Sequence, residues 1–448
     1  MGTCNYITAI EIGSSRITGT VGLATYEGMK IVAYASEPVE NFISKGVVRN
    51  VDAVSSSLTN IVNRLEAQLN EKVTIERAYI TIGGMSVHSI KSTVKRTFDE
   101  YKKITLDITD SMALQNDNEF IVPEGFQKVQ VIAQEYILDG NINVAPIGFH
   151  ARNVECSYLN IVINEQFMKQ LCESFEMARI EIVDSFSGAK IDADILLGKE
   201  DKRSCALVNM GADTTTISIY SNELLRKLVV LPLGGETITK DICAERISRE
   251  EAEQIKISRG YLAKYVEGLP FPVETLNKII SARVQEILLN IKHQIENSGE
   301  TVNKILFTGG TAKLKNLKML LDEYLPGYAT QIITEPSLNC FSDSSLYLAD
   351  GAITPALFGL LTTGKENCCR SVAMTNTPPP TELQFEDEPE QPVEKKEEPE
   401  EKEEPKKEEK KEEPKKPAKE AGWKKKMRDL FAAFKDNLEE EEEDDNDE

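Results

Sequence analysis

Over residues 1–375 the apolar positions switch repeatedly between a period of two and a period near 3.6, and one alternating pattern occurs twice. Ala9-Ile10-Glu11-Ile12 runs through Gly13-Ser14-Ser15 into Ile17-Thr18-Gly19-Thr20-Val21. In the second half, Ala206-Leu207-Val208-Asn209-Met210 runs through Gly211-Ala212-Asp213-Thr214 into Thr216-Ile217-Ser218-Ile219-Tyr220. Each is an apolar strand, a glycine turn with hydroxyls, and an alternating strand, which is the pattern of a β-hairpin. Glycine permits the tight turn and a close approach of backbone to ligand. Successive amides beside short hydroxyls make a nest suited to phosphate. Two such hairpins, one per half, imply a cleft that grips a nucleotide's phosphates from both sides.

Other periodic segments fill the intervals. Leu58, Ile61, Val62, Leu65 and Leu69 predict a helix over 54–69, and 78–82 reads as a strand ending at Gly83-Gly84. A helix over 167–178 precedes a strand at 180–183. This alternation predicts α/β layers with a mixed or parallel sheet. Residues 85–165 differ: polar and charged at first, then an acid- and Asn-rich segment at 110–119, then strands at 128–137 and 154–163. That reads as a small inserted α/β subdomain. A mostly helical excursion runs from 236 to about 303, with 279–295 its longest helix. The chain returns through a strand at 305–307 and the loop Thr308-Gly309-Gly310-Thr311.

Composition changes abruptly after Ala373. Residues 375–421 are Pro, Glu and Lys with almost no apolar side chains, so they cannot bury enough surface to offset ordering entropy and read as a disordered linker. A flexible chain of about 47 residues spans roughly 35–40 Å root-mean-square. Beyond it, Trp423, Met427, Leu430, Phe431, Phe434 and Leu438 fall on one helical stripe, flanked by Lys424, Lys425, Lys426, Arg428 and Lys435. A bulky apolar face with basic flanks is the profile of a helix lying in a membrane surface; the other reading is a helix docking on the body or in a partner's groove. Residues 439–448 carry nine carboxylates in ten positions and would be repelled by anionic lipid.

The 448 residues allow two or more domains, and a 40% apolar content supports large cores. Of the net charge of −22, about −13 lies in 376–448. A body this acidic argues against nucleic acid, which needs a basic surface. No stretch approaches the roughly 20 apolar residues of a bilayer span, and the first 28 residues alternate like strands instead of forming a secretory leader. The eight cysteines are scattered without CxxC pairs, which predicts neither a disulfide nor a zinc framework and suggests a reduced, cytoplasmic protein. His88, His150 and His293 share no metal-ligand spacing.

The order of these signals resembles the actin-like ATPase superfamily and, within it, the FtsA family of bacterial cell-division proteins. The resemblance covers about 5–366 and resumes at 422–438. Ile10-Glu11-Ile12-Gly13-Ser14-Ser15-Arg16 is similar to the first phosphate loop, and Gln134-Glu135-Tyr136-Ile137-Leu138-Asp139 to a signature inside the family's own subdomain. Leu231-Pro232-Leu233-Gly234-Gly235 resembles the second connecting segment, Glu253-Gln254-Ile255-Lys256 the helix that meets the ribose, and Leu306-Phe307-Thr308-Gly309-Gly310-Thr311 the adenosine loop. Phe358-Gly359-Leu360-Leu361 with Gly364-Lys365-Glu366 resembles the end of the body.

The resemblance implies an actin-like two-lobed fold: a first lobe from 1–84 and 166–200, an FtsA-type subdomain at 85–165 used in self-assembly, and a second lobe from 201–236 and 304–373. It further implies a helical subdomain at 237–303 that meets the C-terminal tail of FtsZ, a linker at 374–421, a membrane-targeting helix at 422–438 and an acidic tail at 439–448. ATP would sit between the lobes on Gly13, Ser14, Ser15, Gly211, Thr214, Gly234, Gly235, Glu253, Lys256, Gly309, Gly310 and Thr311, with Mg2+ held by Glu11 through water. The implied activity is a filament-forming adaptor that tethers FtsZ to the inner face of the cytoplasmic membrane at the division site and recruits other division proteins.

The second loop departs from the superfamily's pattern. Asn209 stands where Asp is usual and cannot act as a carboxylate base. Thr216 stands where relatives are often acidic. Ala212 and Asp213 stand where glycines are usual, and Asp213 places a negative charge near the phosphates. Nucleotide binding with at most weak hydrolysis is the expectation. A sugar or acid kinase would need a substrate-deprotonating carboxylate in the cleft, a chaperone-type ATPase would need a peptide-binding domain, and a pilus-assembly relative would not be expected to end in linker and amphipathic helix.

Overall fold

The computed structural model describes residues 5–25, 28–69, 73–143, 145–261, 269–333, 340–342 and 352–371. The linker at 374–421, the amphipathic helix at 422–438 and the acidic tail at 439–448 lie outside the described residues.

Both predicted hairpins form. β1 (Tyr6–Ile12) pairs antiparallel with β2 (Arg16–Thr25), Ile12 opposite Ile17, and β3 (Gly28–Pro38) continues the antiparallel run. Helix α1 (Val51–Glu66) starts three residues before the predicted helix because Asn50 caps it, its side chain accepting from the Ala53 amide at 3.0 Å. Its buried stripe of Val54, Leu58, Ile61 and Leu65 lies against β2 at Gly19, where a Cβ would collide with Ile61. β4 (Arg77–Ile82) then enters parallel to β1.

Residues 88–164 build a separate four-stranded sheet from β5 (His88–Lys103), β6 (Phe126–Leu138), β7 (Asn141–Asn143) and β8 (His150–Asn164), in the order β7-β6-β8-β5, with α2 (Leu106–Glu119) between β5 and β6. Strand β5 was not expected: its charged residues face solvent and only Val94 is fully buried, so no apolar alternation marks it. The acid- and Asn-rich segment at 110–119 is largely helical for a similar reason. Asn116 is buried, donating to Asn160 Oδ1 at 3.0 Å, and Asn160 donates to Ser92 Oγ at 2.8 Å. A closed polar network substitutes for an apolar stripe there.

The chain returns to the first sheet through α3 (Glu165–Met177), capped by Asn164, and β9 (Glu181–Ser187), parallel to β4. It leaves through α4 (Gly188–Leu196). The second lobe repeats the plan. β10 (Ser204–Met210), β11 (Thr215–Ser221) and β12 (Leu224–Leu231) form the antiparallel run. Helices α5 (Gly235–Cys243), α6 (Arg249–Arg259) and α7 (Val273–Glu296) follow, so the helical excursion is present and its last helix is longer than expected. β13 (Lys304–Thr308) enters parallel to β10, and after α8 (Leu317–Tyr324) β14 (Ala329–Ile332) lies parallel to β13. The first sheet reads β9-β4-β1-β2-β3 and the second β14-β13-β10-β11-β12. The two orders are identical element by element. The first sheet alone gains a sixth strand, β15 (Cys340–Ser342), on β3.

Two further contacts set the frame. The inserted subdomain is fastened to the second lobe: Arg226 of β12, buried, forms a bidentate ion pair with Glu135 and donates to Gln134 Oε1 at 3.2 Å. Ser89 Oγ accepts from the Leu228 amide at 2.8 Å. Thus Gln134 and Glu135 of the subdomain signature face the second lobe. The other contact is between α4 and α9 (Pro355–Thr363), where Gly359 lies against Ile191 and Ile195. On its other side α9 covers the first sheet with Leu357, Leu360 and Leu361 against Ile7, Ala9 and Ile31. A side chain at 359 would push the two helices apart. Gly359→Val is expected to cost about 1–3 kcal/mol in urea unfolding; unchanged stability would show that the crossing is not tight.

Candidate functional site

The cavity of interest lies where strands end. Glu11 and Ile12 end β1, Ile82 ends β4, Ser187 ends β9, Asn209 and Met210 end β10 and Thr308 ends β13, with a glycine just beyond each of them. Parallel strands thus direct their carboxyl ends to one region from both lobes, which is where α/β proteins bind ligands. The cavity is lined by Glu11, Thr81 to Gly84, Val87, Ser187 to Ala189, Asp192, Asn209, Gly211, Thr214, Thr216, Leu228 and Val230, with Ile12 and Ala356. No Lys, Arg or His is among them.

The two hairpin tips are the same tight turn. The Gly13 amide donates to Arg16 O at 3.0 Å and the Gly211 amide to Thr214 O at 2.8 Å. These two N–H groups hold the turns. The amides of Ser14, Ser15, Ala212 and Asp213 are left without a protein acceptor among the described residues. A turn at Lys45 and Gly46 spans both tips: Ser14 Oγ accepts from the Gly46 amide at 3.0 Å, and Asp213 Oδ2 accepts from the Lys45 amide at 2.7 Å. The Asp213 charge therefore has a donor from the first lobe, which offsets the repulsion expected from its sequence position.

The remaining second-lobe candidates converge beside the second tip. The Gly235 amide donates to Gly211 O at 3.0 Å, and Thr311 Oγ1 donates to the same carbonyl at 2.7 Å. Gly234 packs on Ala212 so closely that a Cβ would strike its carbonyl. Gly309, at φ +93, abuts Asn209 and Met210. Lys256 Nζ donates to Gly235 O at 3.1 Å, Thr239 Oγ1 at 2.8 Å and Glu253 Oε2 at 2.6 Å. The structure thus brings Gly211, Gly234, Gly235, Glu253, Lys256, Gly309 and Thr311 together, with Gly310 opening the turn into Thr311. Glu253, Lys256 and the 309–311 loop stand behind the cavity and do not line it.

Sequence reasoning missed Asp192. It sits on α4 with 3% exposure, and its Oδ2 accepts from Asn209 Nδ2 at 2.7 Å. Burial pushes its carboxyl up to about 7, opposed by the Asn209 hydrogen bond and assisted by the nearby Glu11 charge. Glu11 is raised by burial as well, opposed by a hydrogen bond from Thr354 Oγ1 at 2.5 Å and by Arg16. The available signal was an acid between Ile191 and Ala193 on the helix that opens with Gly188, directly after the strand ending at Ser187.

Whether these residues suit a divalent cation can be judged from the donor set. No group of three or more His, Cys, Asp or Glu among the described residues forms an all-protein cage. Glu11 and Asp192 offer two carboxylates in a cavity without basic side chains, which suits a hydrated Mg2+ that takes one or two carboxylates plus phosphate oxygens.

The Asp192 shift has a measurable consequence in the metal-free, nucleotide-free protein. A carboxyl whose folded-state pKa is raised from 3.8 to about 7 stabilises the fold fully below pH 3.8, and that contribution is lost as pH rises through about 7. Asp192→Asn removes the dependence. The stability of the variant relative to the parent is expected to improve between pH 5 and pH 8, on the order of a few kcal/mol at most. A constant difference in thermal unfolding across that range would contradict the burial of a charged group.

Comparison with known proteins agrees with this architecture. The family model "Cell division protein FtsA" matches residues 206–342. The protein of that name from Porphyromonas gingivalis is 25% identical over 342 residues, covering 71% of this chain and 71% of that protein. The Bacillus subtilis protein of the same name is 26% identical and covers 71% of this chain and 76% of its own. The Escherichia coli K12 protein is 22% identical over 393 residues, 81% of this chain and 90% of that protein. Among solved structures, the PilM-PilN type IV pilus biogenesis complex shares the fold at TM-score 0.57 and 14% identity, over 80% of this chain and 98% of that one. Taken together, the family match over 206–342, the relatives and the doubled two-lobed fold make the chain similar to FtsA proteins and give it an actin-like fold.

Proposed function

We propose that the chain is an ATP-binding cell-division protein that assembles with copies of itself and tethers FtsZ filaments to the inner face of the cytoplasmic membrane. The observation that carries this reading is the pair of hairpins closed by the same turn hydrogen bond at one cavity, which Ile12, Gly211 and Thr214 help to line, in a chain whose sequence relatives are FtsA proteins. ATP bridges the lobes, its phosphates taken by the free amides of Ser14, Ser15, Ala212 and Asp213, and its base and ribose by the side where Gly309, Gly310, Glu253 and Lys256 gather. Mg2+ supplies the charge that the cavity's own residues lack. Asn209 cannot accept a proton from water as a carboxylate would, so the nucleotide acts mainly by biasing assembly and not through fast turnover.

Self-assembly is supported by the surface of the inserted subdomain. Of the twelve exposed large apolar side chains among the described residues, seven lie within 88–164: Tyr101, Leu106, Leu114, Ile121, Ile142, Ile147 and Phe149. Clustered exposed apolar residues mark interaction sites. The helical region 237–303 is the reading's docking site for the FtsZ tail. No helix among the described residues is long and apolar enough to cross a membrane, so attachment rests on the stripe from Trp423 to Leu438. Many such helices on one filament bind collectively where one binds weakly.

Liposome co-sedimentation of the full chain and of a chain lacking 422–448, each with and without ATP and Mg2+, tests this directly. Pelleting that requires 422–448, with ATP-promoted filaments on the lipid in electron micrographs, is the expected result. Equal pelleting of both chains, or none by the full chain, would move the terminal stripe to a protein partner.

A further inference from the structure

The inserted subdomain leaves the first lobe after β4 and re-enters it at α3, yet buried polar contacts fasten it to the second lobe. The contact point is β12, the outer strand of the second sheet, whose free edge has no neighbouring strand among the described residues. Ser89 takes that edge. Its Oγ donates to Leu228 O at 3.2 Å and accepts from the Leu228 amide at 2.8 Å, so one hydroxyl satisfies both main-chain groups of an edge residue.

The placing of Arg226 is built into the strand. The pairing of β11 with β12 runs Ile219 to Lys227 and then Tyr220 to Leu225, which leaves Arg226 as the extra residue of a β-bulge. A bulge at a sheet edge re-aims a side chain. The guanidinium, 5% exposed, donates to Ser221 O of its own lobe at 3.1 Å, to Gln134 Oε1 at 3.2 Å and to both carboxylate oxygens of Glu135. Those hydrogen bonds hold the Glu135 carboxyl below the usual carboxylate range. Removing one partner of such a pair strands a desolvated charge, so the contact separates reluctantly. The same stretch of chain walls the cavity: Leu228 and Val230 of β12 line it, and so does Val87 at the root of the subdomain.

We propose that the inserted subdomain is a brace between the lobes and that the Arg226–Glu135 pair is its latch, so that the cleft opens only when the latch is broken. The subdomain belongs to the first lobe by chain and grips the second lobe at its edge, and this second tie lies apart from the α4–α9 crossing. Glu135 and Arg226 are positioning residues: neither lines the cavity, and both act on it through β12. The brace deepens the nucleotide-binding reading by setting how long a nucleotide is retained, and only that consequence rests on the reading.

The test measures the lobes directly. Spin labels on unnatural amino acids replace Lys169 of α3 and Met319 of α8, both exposed, and pulsed electron resonance reads the distance between them in the nucleotide-free full chain. Stopped-flow release of a fluorescent ATP analogue is followed beside it. The parent is expected to give one narrow distance distribution, and Glu135→Ala a broader one reaching longer distances, with release about fivefold faster or more. Exchanging the charges, Glu135→Arg with Arg226→Glu, is expected to recover most of the parent's behaviour. Ser89→Ala leaves the ion pair in place and is expected to move both readouts less, in the same direction; it decides the matter if Glu135→Ala does not fold. Parent-like distances in the folded variants overturn the brace, as does faster release with unchanged distances, which would place the effect in the cavity wall alone. Absence of ATP binding by the parent chain overturns the nucleotide reading instead, and the distances then judge the brace by themselves.

Discussion

The close crossing of α4 and α9 at Gly359 is the constraint on which the rest of the molecule depends. The chain passes from the first lobe to the second along α4, and after β15 closes onto the first sheet α9 lies back across it. A residue without a Cβ at 359 lets the helices meet on Ile191 and Ile195. That contact fixes where the far ends of both helices lie. Thr354 caps α9 and reaches Glu11; Asp192, one turn along α4, reaches Asn209. Each cavity carboxyl is therefore tied to a connecting helix or to the strand beside it. A change in the angle between the lobes cannot leave the cavity chemistry untouched.

The repeated strand plan of the two lobes supplies the other half of the design. Both lobes run three antiparallel strands and then two parallel ones, and both place a glycine turn at the inner hairpin tip. The two tips differ in charge. The first tip is Ser14-Ser15, neutral; the second is Ala212-Asp213, whose carboxylate is satisfied by the Lys45 amide across the cleft. The cavity between them has carboxyls and hydroxyls but no cationic side chain. Such a site favours phosphate only when a metal ion accompanies it. The inserted subdomain is coupled to the same frame through β12, which carries Arg226 and Leu228 to the subdomain while Leu228 and Val230 line the cavity.

Much of this was legible in the sequence wherever local pattern and fold agreed. The hairpins at 9–21 and 206–220 were readable because alternating apolar runs flank a glycine turn; the glycines at 234–235 and 309–310 were reached through the resemblance, and Gly234 and Gly309 are the two that lie against backbone. What escaped notice lacked a local signal. Strand β5 is solvated along nearly its whole length, so its charges conceal it. Asn116 looks like a surface residue and is a core one, because Asn160 and Ser92 satisfy it at a distance in sequence. Asp192 is a single acid in an apolar helix, and only tertiary structure shows that it meets Asn209 and shares a cavity with Glu11. The amides of Gly13 and Gly211 hold their own turns, which leaves the unbonded amides one and two residues further on.

Amide hydrogen exchange with and without ATP and Mg2+ tests the central claim, that one cleft is gripped by both lobes. If it is right, the complex is protected together at 11–16, 188–196 and 209–214, one segment from each hairpin tip and one from the connecting helix. Protection of one hairpin alone, or change confined to segments away from the cavity, would contradict it.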